Sequence, residues 1–175
     1  VTASASSMSA HVVVRAVNTA PTVTLSLDDD DDDNTSGSCV PGEACAFKVL
    51  ISDVDAADLL CATGENFLTV TLLSDVARSN FSLVDSAGAV LLDESSGDGG
   101  AIFNYRVSGR QFGSGKRTLD ILWSSPVTWA TEFRDTDSVE VFVNDTGSCG
   151  ASSSIASVTG LVSNVATVQV MPTAP

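Results

Sequence analysis

The 175-residue sequence predicts an all-β domain, an antiparallel sandwich of two sheets. Three observations predict it. Short runs rich in Val, Leu, Thr and Phe recur along the chain, separated by clusters of Gly, Ser, Asp and Pro. Several of them alternate apolar and polar residues, as in strands with one buried and one wet face. No segment sustains a helical period, and only Asp55 to Leu60 offers a short turn. A hydrophobic fraction of 43% in one chain of this length supplies a real core, which excludes global disorder.

The elements follow in order. Thr22 to Leu27 is the first strand of the sandwich and Ala46 to Ile51 the second, with a loop near residues 28–45 between them. Next come Leu68 to Leu73, Phe81 to Val84, Ala101 to Val107 and Thr118 to Trp123. In Leu68-Thr69-Val70-Thr71-Leu72 the threonines point away from the apolar set. In Thr118 to Trp123, Leu119, Ile121 and Trp123 share one face, which assigns Trp123 to the core. Trp129, five residues after the strand, either joins that core or forms with Trp123 a platform on which a sugar ring stacks. Val139, Val141 and Val143 share a face of the next strand, and Ala166 to Val170 is the last. Seven or more short strands at moderate spacing make a two-sheet sandwich.

Composition removes whole classes of function. With 22 acidic against 8 basic side chains, the net charge is -14, and the pI is about 4.1. Such a chain repels nucleic-acid phosphates and anionic membranes. No apolar run is long enough for a spanning helix, so direct membrane insertion is not expected. His11 is the single histidine; in His11-Val12-Val13-Val14-Arg15 it lies beside Arg15, opposite Val12 and Val14, as a surface strand residue. There is no glycine-rich phosphate loop and no Gly-x-Ser-x-Gly elbow, and no acid pair is set across a cleft. The sequence does not describe an enzyme. Six of the acids form the run Asp28 to Asp33, which reads as a solvated loop, because six adjacent carboxylates repel one another and the run lacks a shaping glycine.

The ends of the chain resemble each other. Ser9-Ala10-His11-Val12-Val13-Val14-Arg15-Ala16-Val17-Asn18-Thr19-Ala20-Pro21 parallels residues 163–175, which end in Thr173-Ala174-Pro175, at an offset of 154 residues. Each copy is a Val-rich strand running into an extended Pro-containing linker. Residues 1–20 therefore read as the last strand and linker of a preceding repeat, able to add to a sheet edge of a neighbour. Residues 21–175 read as one complete repeat.

Val17-Asn18-Thr19-Ala20-Pro21, Ile51-Ser52-Asp53-Val54-Asp55-Ala56, Leu68 to Leu72, Leu119 to Trp129 and Asp137 to Gly147 together resemble a known family. These are the cadherin-like, immunoglobulin-fold tandem repeats of very large surface proteins in bacteria, algae and other protists. The resemblance implies an immunoglobulin/cadherin-like sandwich working as a structural repeat of a secreted, glycosylated surface or filament protein, such as a mastigoneme shaft. Its partners are copies of itself or neighbouring repeats, and glycans. The alternative is a calcium-dependent carbohydrate-binding or adhesin module using Trp129. In that topology the Asp28 to Asp33 loop lies at the pole away from the incoming linker. Asp53, Asp55, Asp58, Asn144 and Asp145 converge near Asn18 at the linker pole, a hard-oxygen set suited to calcium. The same residues also serve as turn caps. Thr19 stands where such repeats carry an acid.

Cys39, Cys45, Cys61 and Cys149 allow three disulfide connectivities and indicate an oxidising compartment. The sandwich topology prefers Cys39 with Cys45 and Cys61 with Cys149. Asn34, Asn80 and Asn144 each open a glycosylation sequon, consistent with an extracellular address.

Overall fold

A computed structural model describes residues 19–27, 36–56, 67–85, 87–95, 100–129, 136–145 and 161–173. These residues form eleven strands and one 3-10 turn. The strands are β1 (Thr22–Leu27), β2 (Ser36–Cys39), β3 (Ala44–Ser52), β4 (Phe67–Ser74), β5 (Asn80–Val84) and β6 (Val90–Ser95). They continue with β7 (Ala101–Ser108), β8 (Lys116–Ser124), β9 (Asp137–Asp145), β10 (Leu161–Val162) and β11 (Ala166–Pro172). All eight strands expected from the sequence are present, seven of them longer than expected by one to four residues.

The strands make two sheets. One is ordered β1-β3-β8-β5-β6 and the other β2-β11-β9-β4-β7, with β10 pairing β9 beside the start of β11. Every pairing is antiparallel except β11 with β2. The arrangement β1-β3-β8-β5 against β4-β9-β11 has the strand order of the immunoglobulin fold. Alternation explains which faces meet: Val23, Leu25 and Leu27 on β1, Phe47, Val49 and Ile51 on β3, and Val139, Val141 and Val143 on β9 are all buried between the sheets.

The core centres on aromatic side chains. Trp123 packs edge-on against Phe47 at 6.3 Å and against Trp129 at 5.3 Å between ring centroids. Both indoles are fully buried, and each N–H has an acceptor: Trp123 Nε1 donates to Ser74 Oγ at 3.2 Å and Trp129 Nε1 to Asp137 Oδ2. That satisfaction is what lets two large polar-tipped rings sit in the interior.

Three strands were not visible in the sequence, and the loop expected near residues 28–45 is shorter than its span. Ser36-Gly37-Ser38-Cys39 has no strand-forming composition; pairing with β11 through Gln169↔Ser36 to Pro172↔Cys39 makes it β2. Gly37 lies close under Leu27: a Cβ at that position would fall 1.9 Å from Leu27 Cδ1, so any larger residue makes the Leu27 side chain shift. Ala44 and Cys45 belong to β3, not to a loop. Leu27 also meets Gly37, where the chain passes from β1 in one sheet to β2 in the other. The Asp28 to Asp33 run itself lies outside the described residues. β6 hides behind its polar end, Asp93-Glu94-Ser95, and β10 is only two residues long. Thr71, expected on a wet face, is buried and donates to Asn104 Oδ1 across to β7 at 2.8 Å. Among the described residues no helix is long and apolar enough to cross a membrane.

Candidate functional site

The sandwich has two poles, and chemistry-bearing residues gather at one. β1 begins opposite the end of β3, with Thr22↔Ser52, so the incoming linker meets the turn after β3. Asp53 shapes that turn. Its backbone N–H donates to Gly115 O at 2.8 Å, and its Oδ1 accepts from the N–H groups of Asp55 and Ala56 at 3.1 and 3.0 Å. An aspartate accepting from backbone groups two and three residues on is an Asx turn, the capping role that Asp-x-Asp suggested. Asp55 then reaches the linker, its Oδ2 accepting the N–H of Thr19 at 2.7 Å. Asp145 ends β9 at the same pole, fully buried, paired with Leu68 of β4 and Leu161 of β10.

Of the five residues expected at the linker pole, the structure brings the side chains of Asp53, Asp55 and Asp145 close enough for their charges to act on one another. Asn144 is exposed whereas Asp145 is buried, because neighbours on a strand leave it on opposite faces. Asp58 and Asn18 lie outside the described residues, as does His11.

Electrostatics at this pole are unusual. Asp53 is 2% exposed, and burial pushes its carboxyl from the ordinary 3.8 up to about 7; the facing Asp55 side chain is the next cause. The Asp55 backbone N–H pulls the value down, while the negative charges of Asp55 and Asp145 add to the rise. Asp53 Oδ2 and Asp55 Oδ1 are shielded from water and accept no hydrogen bond among the described residues. Two buried carboxylate oxygens without donors need a shared proton or a cation. Hard oxygens are the donors calcium takes, but it takes six to eight of them. Among the described residues no group of three or more His, Cys, Asp or Glu stands close enough to hold a metal ion. The described carboxylates alone do not close a calcium shell.

A second chain crossing sits beside this cluster. Asn164, in the turn between β10 and β11, accepts the N–H of Val23 at 3.0 Å and donates Nδ2 to Val23 O at 2.9 Å. One amide therefore pins the start of β1 to the opposite sheet. The sequence carried no signal for it beyond an Asn in a Ser-Asn pair.

The distal pole carries the disulfide. Cys39 and Cys45 are bonded, Cα to Cα 5.8 Å, joining the end of β2 in one sheet to β3 in the other. Thr173 N–H donates to Cys39 O at 3.1 Å, so the chain leaves β11 here. Cys61 and Cys149 lie outside the described residues. Of the sequons, Asn34 lies outside them too, Asn80 is half-buried at the start of β5, and Asn144 is exposed. Full burial of Trp129 removes the sugar platform, since a ring with no exposed face cannot stack on a saccharide.

No protein-family model matches the chain, and no curated protein matches it. Solved structures do resemble it. One is a domain-of-unknown-function family protein from Parabacteroides merdae, with a TM-score of 0.42, 12% identity, and 90% of this chain covered against 45% of that one. Another is the N-terminal domain of the adhesin Sgo0707 of Streptococcus gordonii, with a TM-score of 0.42, 11% identity, and coverages of 89% and 33%. A third is AggA, the major subunit of aggregative adherence fimbriae type I of Escherichia coli, with a TM-score of 0.40, 11% identity, and coverages of 91% and 100%. The chain spans less than half the length of the first two.

Proposed function

We propose that this domain is a structural repeat of a secreted surface or filament protein, mediating assembly or adhesion through contacts between successive repeats. The observation that carries the reading is where the chain enters and leaves. It comes in at the proximal pole, held by Asp55 at Thr19, and goes out at the distal pole, held by Cys39 at Thr173. The nine residues of β3 connect these poles over about 30 Å at the usual strand rise. A module threaded from end to end transmits tension along its strands and propagates as a linear array.

The structure of β11 gives the internal sequence likeness physical content. Val168 and Val170 are buried there, while Thr167, Gln169 and Met171 are exposed. At the offset of 154 the inward positions become Val14 and Ala16, and the outward ones Val13, Arg15 and Val17. Small or β-branched apolar residues thus match the inward positions, and Arg15 matches the exposed Gln169.

The disulfide supports an oxidising, extracellular compartment. A calcium ion at the proximal pole would draw on the donorless oxygens of Asp53 and Asp55 and on further oxygens from the segment carrying Asp58. Glycans at Asn34, Asn80 and Asn144 belong to the same extracellular reading. The experiment that tests the reading is sequencing of the full-length transcript. A further copy spaced about 154 residues away supports it; a full-length protein with no second copy overturns it.

A further inference from the structure

Two side chains stand out among the described residues: Val54 is 78% exposed and Val127 is 77% exposed, more than any other large hydrophobic. They occupy opposite poles. Val54 is in the turn after β3, against Gly115, where an added Cβ would lie 3.7 Å from the Val54 Cα; the exposed Lys116 follows directly. Val127 lies beyond β8, against Gly42, where an added Cβ would come within 2.8 Å of Val127 Cγ2; the exposed Glu43 follows Gly42. Both patches terminate the same strand pair, β3 with β8, at its Ser52↔Lys116 end and its Ala44↔Ser124 end. Each is one valine beside a glycine and an exposed charged residue, Lys116 at the proximal pole and Glu43 at the distal pole.

We infer that consecutive copies of this domain abut head to tail, the Val54–Gly115–Lys116 patch of one copy seated on the Val127–Gly42–Glu43 patch of the copy before it. The inference rests on the repeat reading above and names the surface that such a repeat uses. The linker geometry brings the two patches together. The offset of 154 places Thr173 on Thr19, so in an array one threonine both closes a copy and opens the next. Its N–H lies 3.1 Å from Cys39 O in the first role and 2.7 Å from Asp55 Oδ2 in the second. That N–H carries a single hydrogen, so in the array it is shared between the two acceptors as a three-centre bond, which holds them no more than about 6 Å apart. Cys39 immediately precedes the turn that carries Gly42 and Glu43, and Asp55 follows Val54. The patches are therefore neighbours across the junction, with only Thr-Ala-Pro between the last strand of one copy and the first of the next. Facing valines exclude water at the centre, while Lys116 against Glu43 fixes the register at the rim. A head-to-tail contact of this kind does not close on itself, so it extends into a rod.

The test is a two-copy protein: the full chain followed directly by a second copy of residues 22–175. It is expected to melt in one transition about 3 °C above the single chain, as coupled repeats do. Val127→Asp in the first copy, or Val54→Asp in the second, returns the melting temperature to the single-chain value. Lys116→Glu in the second copy lowers it in part, and adding Glu43→Lys in the first copy restores it. Each substitution is also made in the single chain, and the loss in the two-copy protein is read as the excess over that baseline, because Val54 and Lys116 stand beside Asp53 and Asp55 and a new acid there acts on the domain itself. A two-copy protein that melts like the single chain overturns the inference, and so does an elevated melting temperature that the valine substitutions do not move. Failure of the repeat reading is separate, because it shows as a missing second copy in the full-length sequence whatever the two-copy protein does.

Discussion

Asp53→Asn is expected to stabilise the domain at neutral and alkaline pH. Asp53 is buried, its folded carboxyl is raised from 3.8 to about 7, and its Oδ2 accepts no hydrogen bond. Below about pH 4 the folded and unfolded chains both carry this proton, and the group contributes no pH dependence. Between about pH 4 and 7 the unfolded chain releases the proton and the folded chain keeps it, so stability falls as pH rises. Above about pH 7 both states are ionised and the loss is complete. A shift of about three units corresponds to a ceiling of about 4 kcal/mol at 1.36 kcal/mol per unit; about two of those units lie between pH 5 and 7, so about 2 kcal/mol of the loss or slightly more falls in that range. The introduced amide keeps a carbonyl oxygen for the N–H groups of Asp55 and Ala56 and offers its NH2 to Asp55 Oδ1, which has no donor in the parent. The assay is urea unfolding at pH 5, 6, 7 and 8 with EDTA present, followed by the fluorescence of the buried Trp123 and Trp129. The stability difference between variant and parent is expected to grow by about 2 kcal/mol from pH 5 to 8. Parallel pH profiles, with a constant difference, would refute the claim that Asp53 holds its proton in the folded state.

Three further outcomes follow from the packing. Trp129→Ala is expected to cost about 3 to 5 kcal/mol in urea unfolding, as for other fully buried large side chains. The parent protein is expected to give no heat on saccharide titration, since both indoles are enclosed. Cys45→Ser, which opens a ring whose cysteines are six positions apart, is expected to lower stability by about 2 kcal/mol, and reductant is expected to reproduce the loss in the parent. Asn164→Ala leaves the N–H and C=O of Val23 without their side-chain partner, and is expected to cost about 2 kcal/mol and to speed amide exchange along β1.

The strands were legible because each carries its own pattern. Val139-Glu140-Val141-Phe142-Val143 states its period and its buried face without help from the rest of the chain. β2 was illegible because its strand character belongs to the pairing with β11 and not to Ser-Gly-Ser-Cys. A glycine between two serines signals a turn by propensity, and tertiary pairing overrides that. Trp129 was undecidable for a related reason. Its burial needs an acceptor for the indole N–H, and that acceptor, Asp137, is supplied by the start of another strand. The acids at the proximal pole were legible once the sandwich was assumed, because the ends of β3 and β9 fall at one pole in that topology. Asn144 and Asp145 are consecutive on one strand, and a period of two lets only one of them face the core.

The acidity of the chain divides in the same way. The largest block, Asp28 to Asp33, falls between β1 and β2 in the sequence, outside the described residues. The acids that shape the proximal pole are three single residues, each at the end of an ordered strand or in the turn after it. Asp53 spends one oxygen on its own turn, Asp55 holds the linker, and Asp145 adds charge that drives Asp53 toward its protonated form. The coupling between them makes the linker contact depend on proton occupancy. With Asp53 neutral, its carboxyl can donate toward the facing Asp55, whose Oδ2 accepts the Thr19 N–H; with Asp53 ionised, that donor is gone and the turn holds an added negative charge. Weakening of the proximal turn as pH rises should therefore appear first at Thr19, measured as faster amide exchange there between pH 6 and 8 than the intrinsic rise with pH accounts for. In the Asp53→Asn protein that excess should vanish, and an excess that persists would detach the linker contact from the titration of Asp53.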